Sequence, residues 1–197
     1  MDSVAVFCGS SSGIHPSHVR IARELGEHLG RHGITLVYGG GRVGLMGHLA
    51  DGALSAAGKV VGVIPKSLFD KEIGHTGLSE LIVTSTMHER KSIMADRAMA
   101  FIGLPGGFGT LDELFEILTW AQLGFHTKPV GLLNINGFYD HLLDWLNHVV
   151  LSEGYIKQKH LQNLIVSSDS FQQLLQQLAA AVTGNSNLPK LGPTDFR

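Results

Sequence analysis

Short runs of β-branched and aliphatic residues alternate with longer stretches whose apolar positions recur at helical spacing, and this order restricts the chain to few architectures. The strand candidates are Val4 to Cys8, Thr35 to Tyr38, Val60 to Ile64, Leu81 to Thr84, Ala100 to Leu104, Val130 to Leu133 and Leu164 to Val166. Helical patterns run from about Pro16 to His32, then over Leu45 to Ala57, Met87 to Arg97, Leu111 to Leu123, Phe138 to Ser152 and Ser170 to Val182. Strands separated by helices mark βαβ units, whose right-handed crossovers cover both faces of a sheet. The expected fold class is α/β: a Rossmann-like, doubly wound, mostly parallel sheet of about seven strands with helices on both faces. No internal repeat is visible.

With 197 residues, 44% of them hydrophobic and 16% charged, the chain has a globular rather than a disordered balance. The pattern predicts one domain over residues 1–183 and a loose tail over 184–197, where GNSNLPKLGPTDFR has no apolar period. A formal net charge of −2 and a pI of about 6.6 exclude the basic footprint of a nucleic-acid binder, so a small-molecule partner is expected. Cys8 is the only cysteine, which excludes an intrachain disulfide and fits a reducing cytoplasm. The sequence opens on a strand-like run rather than a secretory leader, and no apolar run approaches the roughly 20 residues needed to span a bilayer.

Ligands of such sheets bind beyond the carboxyl ends of the strands, where three glycine-rich segments should meet: CGSSSG (Cys8 to Gly13), YGGGRVGLMG (Tyr38 to Gly47) and PGGFGT (Pro105 to Thr110). Gly39 to Gly44 matches GxGxxG, which would set backbone amides and a helix N-terminus against a phosphate, with Gly40, Gly41 and Gly44 as candidate contacts. The same glycines could equally be a tight turn. A dinucleotide would need an acidic residue on the following strand, and Val60 to Lys66 has none; a Walker A loop is excluded because Gly-Lys-Ser/Thr is absent. PGGFGT is a second anion cradle, offering Gly106, Gly107, Phe108, Gly109 and Thr110. Thr110 with Glu113 also reads as a capping box, which would leave the carboxylate a purely local role. Asp112 and Glu116 on the same helix read as solvated or dipole-stabilised.

In Thr86-Met-His-Glu-Arg-Lys91 a second capping box, Thr86 with Glu89, opens a helix whose first turn carries Arg90 and Lys91. Cations there oppose the helix dipole, so either an anion or a carboxylate partner is expected, unless the pair is simply solvated. Gly9 to Gly13 matches the GxSxG elbow, making Ser11 a candidate nucleophile. That elbow normally lies deeper in the sheet with an acid and a histidine downstream, so hydrogen bonding by Gly9 and Ser10 to Ser12 suits this turn better. The 11 histidines form no recognised metal set, and no metal is called for. Trp120 and Trp145 read as core, and Cys8 as a small buried packer.

Taken together, VFCGSS from Val6, YGGGRVGLMG, MHERK, PGGFGTLDE and TWAQLG (Thr119 to Gly124) resemble the Lonely Guy (LOG) family, the cytokinin-activating nucleoside 5′-monophosphate phosphoribohydrolases. The likeness covers roughly the whole folded part, and the pairing of PGGxGTxxE with MHxRK makes it specific. It implies a Rossmann-like homodimer that cleaves the N-glycosidic bond of a purine or N6-modified purine riboside monophosphate, without a cofactor, releasing base and ribose 5-phosphate. The resemblance places the catalytic pair on Arg90 and Glu113, and substrate contacts on Met87, Lys91, Gly107 to Thr110, Glu72 and Thr119. Two other readings remain: a non-catalytic carrier of a nucleotide or phosphorylated cofactor, and a serine hydrolase using Ser11. The motif has also been labelled lysine decarboxylase, yet no lysine here stands out as a pyridoxal phosphate anchor.

Overall fold

The computed structural model describes residues 1–69, 74–161, 164–167 and 170–184. In chain order the principal elements are β1 (Ser3–Phe7), α1 (Pro16–Arg31), β2 (Thr35–Tyr38), α2 (Gly44–Ser55), β3 (Val60–Pro65), a single turn α3 (Lys66–Leu68), β4 (Glu80–Thr84) and α4 (Met87–Arg97). Then follow β5 (Ala100–Gly103), α5 (Phe108–Gln122), β6 (Val130–Leu133), α6 (Asp140–Trp145), β7 (Leu164–Ser167) and α7 (Phe171–Val182). The seven strands pair in parallel in the order β4-β3-β2-β1-β5-β6-β7. The doubly wound α/β architecture expected from the pattern is therefore present, and every strand pairing is parallel. The expected tail lies, beyond Gly184, outside the described residues.

Parallel strands covered on both faces need apolar residues at successive positions, which is why VAVF and VVGVIP are continuous runs rather than alternations. Alternate residues then divide between two cores. Val4, Val6, Leu36, Val60 and Ile102 face Leu25, Leu49 and Leu174 of α1, α2 and α7. Ala5, Val37, Val61, Val63 and Phe101 face Met94, Leu114 and Leu143 of α4, α5 and α6.

The chain starts at the centre with β1, winds outward to β4, and returns to place β5 on the other side of β1. This reversal splays the loops after β1 and β5 apart into a crevice. Their bases nevertheless stay joined: Leu104 N donates to Phe7 O (2.9 Å) and Gly9 N to Pro105 O (3.0 Å). The loop after β2 joins them through Leu45 N to Gly9 O (3.1 Å), so all three glycine-rich segments meet at one edge. On its way back from the β4 edge, α4 crosses β3, β2 and β1, which delivers its inner face to that same edge.

Two elements differ from the periodicity. The apolar pattern of Phe138 to Ser152 is broken into α6 and a π-helical stretch, Leu146–Val150, and Trp145, at the end of α6, is 49% exposed rather than in the core. Helix α5 starts at Phe108, before its first apolar-periodic residue, because Gly107 takes the N-cap position.

Helices α1 and α2 approach through glycines. A Cβ on Gly26 would overlap Leu49 O, and one on Gly52 would overlap Arg23 O; both obstacles are backbone, which cannot swing aside. Gly52→Ala is expected to lower stability by about 1–3 kcal/mol, the range for overpacking a fitted contact. Urea unfolding checks this, with a reduced midpoint at unchanged slope.

Candidate active site

Beyond the carboxyl ends of β1, β2 and β3, a cleft of about 280 Å³ opens between the three loops and the first turns of α4 and α5. Two opposite charges stand in its wall. Arg90 is only 8% exposed and Glu113 only 6%, and Arg90 Nη2 lies 2.8 Å from Glu113 Oε1. Arg90 comes from the inner face of α4, where Nε donates to Val63 O at the end of β3 (3.0 Å). Among the described residues Nη1 meets Met87 Sδ, at 4.0 Å, and Arg90 lines the cleft.

The capping alternative for Glu113 is overturned. Since α5 begins at Phe108 with Gly107 at its N-cap, Thr110 lies inside the first turn and is not the cap. Thr110 is buried against Gly106, where any Cβ would overlap its Oγ1, and Glu113 meets Arg90 instead of an amide of its own helix. On α4 the cap half of the box forms, Thr86 Oγ1 accepting from Glu89 N (3.1 Å), while Glu89 Oε2 accepts from Ser85 N (2.7 Å), one residue before the cap, rather than from Thr86 N.

Lys91 takes the carboxylate option raised by its sequence position. Its Nζ lies 3.0 Å from Asp112 Oδ2 and 2.8 Å from Glu116 Oε2, so α4 and α5 are tied outside the cleft. Burial alone would lower its pKa, but its contacts with Glu116 and Asp112 outweigh that and raise it. Lys91 is not among the cleft-lining residues, nor is Thr119, whose exposed hydroxyl donates to Phe115 O (2.7 Å). Glu72 lies outside the described residues. Ser10, Gly9, Gly41, Met87 and the run Gly107, Phe108, Gly109 and Thr110 do line the cleft.

The two proposed phosphate cradles are not equivalent. In the loop after β2, Gly40 (φ 72°) packs on Ile64, and a Cβ on Gly44 (φ 62°) would overlap the backbone of Ser10. Those glycines serve loop packing, and neither lines the cleft. Gly106 is likewise filled in by Thr110. Among the described residues nothing lies within 4 Å of a Cβ position on Gly107 or Gly109, and both glycines are exposed, so this stretch of backbone is open to a ligand. Its origin is fixed from the far side, because Tyr139 OH donates to Leu104 O (2.6 Å).

Cys8 and Gly39, read from the sequence as a packer and as part of the glycine motif, also line the cleft, as do Met46, in the same glycine-rich segment, and Leu68, which no motif singled out. Burial pushes the Cys8 thiol far up, with Glu113 adding to the effect, so it is no thiolate nucleophile. Ser11 belongs to a neighbouring cleft of about 540 Å³ with His15, His18 and Phe138. Its Oγ accepts from Gly13 N (3.3 Å), and among the described residues no histidine hydrogen bond to it is recorded.

A family model described as "Possible lysine decarboxylase" matches residues 46–178. The chain is 49% identical over 175 residues to cytokinin riboside 5′-monophosphate phosphoribohydrolase LOG2 of Arabidopsis thaliana, covering 89% of this chain and 81% of that protein. It is 47% identical over 175 residues to the LOG enzyme of rice (Oryza sativa subsp. japonica), covering 89% and 72%. The chain belongs to the LOG family. Among solved structures similar to this LOG-family chain, TM1055 superposes with a TM-score of 0.65 at 26% identity, over 91% of this chain and 98% of that one. The molybdenum cofactor binding protein of Rippkaea orientalis shares the fold, with a TM-score of 0.68 at 24% identity over 92% and 96%. Among the described residues lining the cleft with Glu113, none is a lysine.

Burial raises the Glu113 pKa; Arg90 opposes this, and Asp112 and Glu116 reinforce it. A reaction that needs the ionised carboxylate should therefore fail on acidification above the ordinary glutamate range of about 4.3. Asp112→Asn removes a like charge and should move this acid limb of log kcat to lower pH, as a pH–rate profile would record.

Proposed function

We propose that this LOG-family chain is a nucleoside 5′-monophosphate phosphoribohydrolase that hydrolyses the N-glycosidic bond of purine or N6-modified purine riboside monophosphates, such as cytokinin ribotides or AMP. The observation carrying the reading is the buried Arg90–Glu113 pair beside the exposed backbone of Gly107 and Gly109. The Gly107–Gly109 backbone, at the N-terminus of α5, receives the 5′-phosphate. Binding at this remote group then sets the sugar over the charged pair.

Cleavage breaks the C1′–N bond, leaves its electron pair on the base and builds positive charge on the ribose. The Glu113 carboxylate stabilises that charge and accepts a proton from water as its oxygen bonds to C1′. The base nitrogen takes up the balancing proton, and ribose 5-phosphate leaves. The raised proton affinity of Glu113 suits this acceptor role. Arg90 orients the carboxylate through Nη2 and offers its remaining N–H groups to the substrate.

A carrier would need the phosphate-binding loop alone. It would gain nothing from an ion pair buried at a desolvation cost of several kcal/mol per charge, and that pair favours catalysis. A single buried thiol suits the cytoplasm. The reading includes a homodimer, because Leu123, Phe125, Trp145, Val149 and Tyr155, all on the segments following β5, are exposed. Sedimentation should give twice the mass of 21.2 kDa, and a monomer at micromolar concentration would refute the dimer.

Glu113→Gln and Arg90→Ala should each lower kcat/KM for AMP by at least about 100-fold, the scale for removing one preorganised electrostatic contact. Release of free base and ribose 5-phosphate provides the assay; return of intact nucleotide by the wild type would favour a carrier.

A further inference from the structure

Arg90 is held on three sides, and one holder is the absence of a side chain. Val63 O fixes Nε, and Glu113 Oε1 stands beside Nη2. Against the same Nη2 lies the bare Cα of Gly39, the first residue after β2. A Cβ there would overlap Nη2, and it would sit 3.2 Å from Met46 Sδ. Backbone conformation does not require this glycine: Gly40 and Gly44 in the same loop have positive φ, and Gly39 does not. An alanine at position 39 therefore meets no φ strain, and among the described residues its one severe obstacle is the end of the Arg90 side chain.

We propose that Gly39 is a positioning residue for the reaction, its bare Cα forming the seat that holds the Arg90 guanidinium beside Glu113. The inference rests on the proposed roles of Arg90 and Glu113. The guanidinium is planar and rigid, so Nη2 cannot retreat alone. To clear a methyl group it must swing away from Glu113 or pull Nε from Val63 O. This assigns a specific task to the first glycine of the GxGxxG match, which the phosphate reading of that loop left without one.

The test is Gly39→Ala. The expected protein is folded, with kcat lowered about 100-fold, the scale for a displacement of about 1 Å at a reacting group. Its acid limb moves to higher pH, because Glu113 loses part of the opposing influence of Arg90. A crystal structure of the variant shows Nη2 withdrawn from Glu113, and in an Arg90→Ala background Gly39→Ala costs no further rate. Wild-type kcat with Nη2 still in place overturns the proposal, as does an equal loss in both backgrounds. If Gly39→Ala does not fold, recovery of folding in Gly39→Ala/Arg90→Ala supports the seat, and continued unfolding overturns it. Wild-type kinetics for Arg90→Ala would instead refute the catalytic reading of Arg90, while the guanidinium position in Gly39→Ala still decides whether Gly39 seats it.

Discussion

Two opposite charges removed from water at the end of a parallel sheet set the terms for everything around them. Neither Arg90 nor Glu113 could be buried alone, since an uncompensated charge in such a site costs several kcal/mol. Their separation of 2.8 Å makes the pair tolerable, and it requires α4 and α5 to be aligned closely enough to present both groups to one point. The contacts of Lys91 with Asp112 and Glu116 tie the same two helices together a short way off. The sheet order explains why those helices are available there: α4 must travel from the β4 edge back to the centre to reach β5, and α5 leaves directly from β5.

The loops show how little room the arrangement leaves. Gly44 lies on Ser10, Gly106 on Thr110, and Gly39 on Arg90, each at a distance that excludes even a methyl group. These contacts make the edge of the sheet a packed assembly of backbone, in which the open stretch is Gly107 to Gly109. A similar glycine spacing thus serves two ends: close packing in the loop after β2 and ligand access in the loop after β5.

The fold was largely legible because a parallel sheet covered on both faces imposes long apolar strands and regular helical faces. The expectation for Phe138 to Ser152 failed in detail because periodicity does not reveal a π-helical stretch, and Trp145 came out exposed. At the site, local patterns could not decide between a cap and a catalytic group for Glu113, because TxxE spacing is the same for both. The resolution came from a residue 23 positions away in the chain, Arg90, which only the tertiary structure brings alongside. In the same way a basic pair at a helix start signalled anions or carboxylates, and the structure separated them: Arg90 in the cleft wall, Lys91 on an outer tie. Gly39 was visible as one of three glycines, but nothing in its sequence surroundings distinguishes a turn former from a seat for a side chain.

The bond from Tyr139 OH to Leu104 O reaches across from the segment that follows β6. It ties the stem of the ligand-facing loop to the segment after β6, on the far side of β5 from β1. The lip over which a ligand enters runs straight into α5, the helix that carries Glu113, so any shift of the Tyr139 anchor would move the entrance and the carboxylate together.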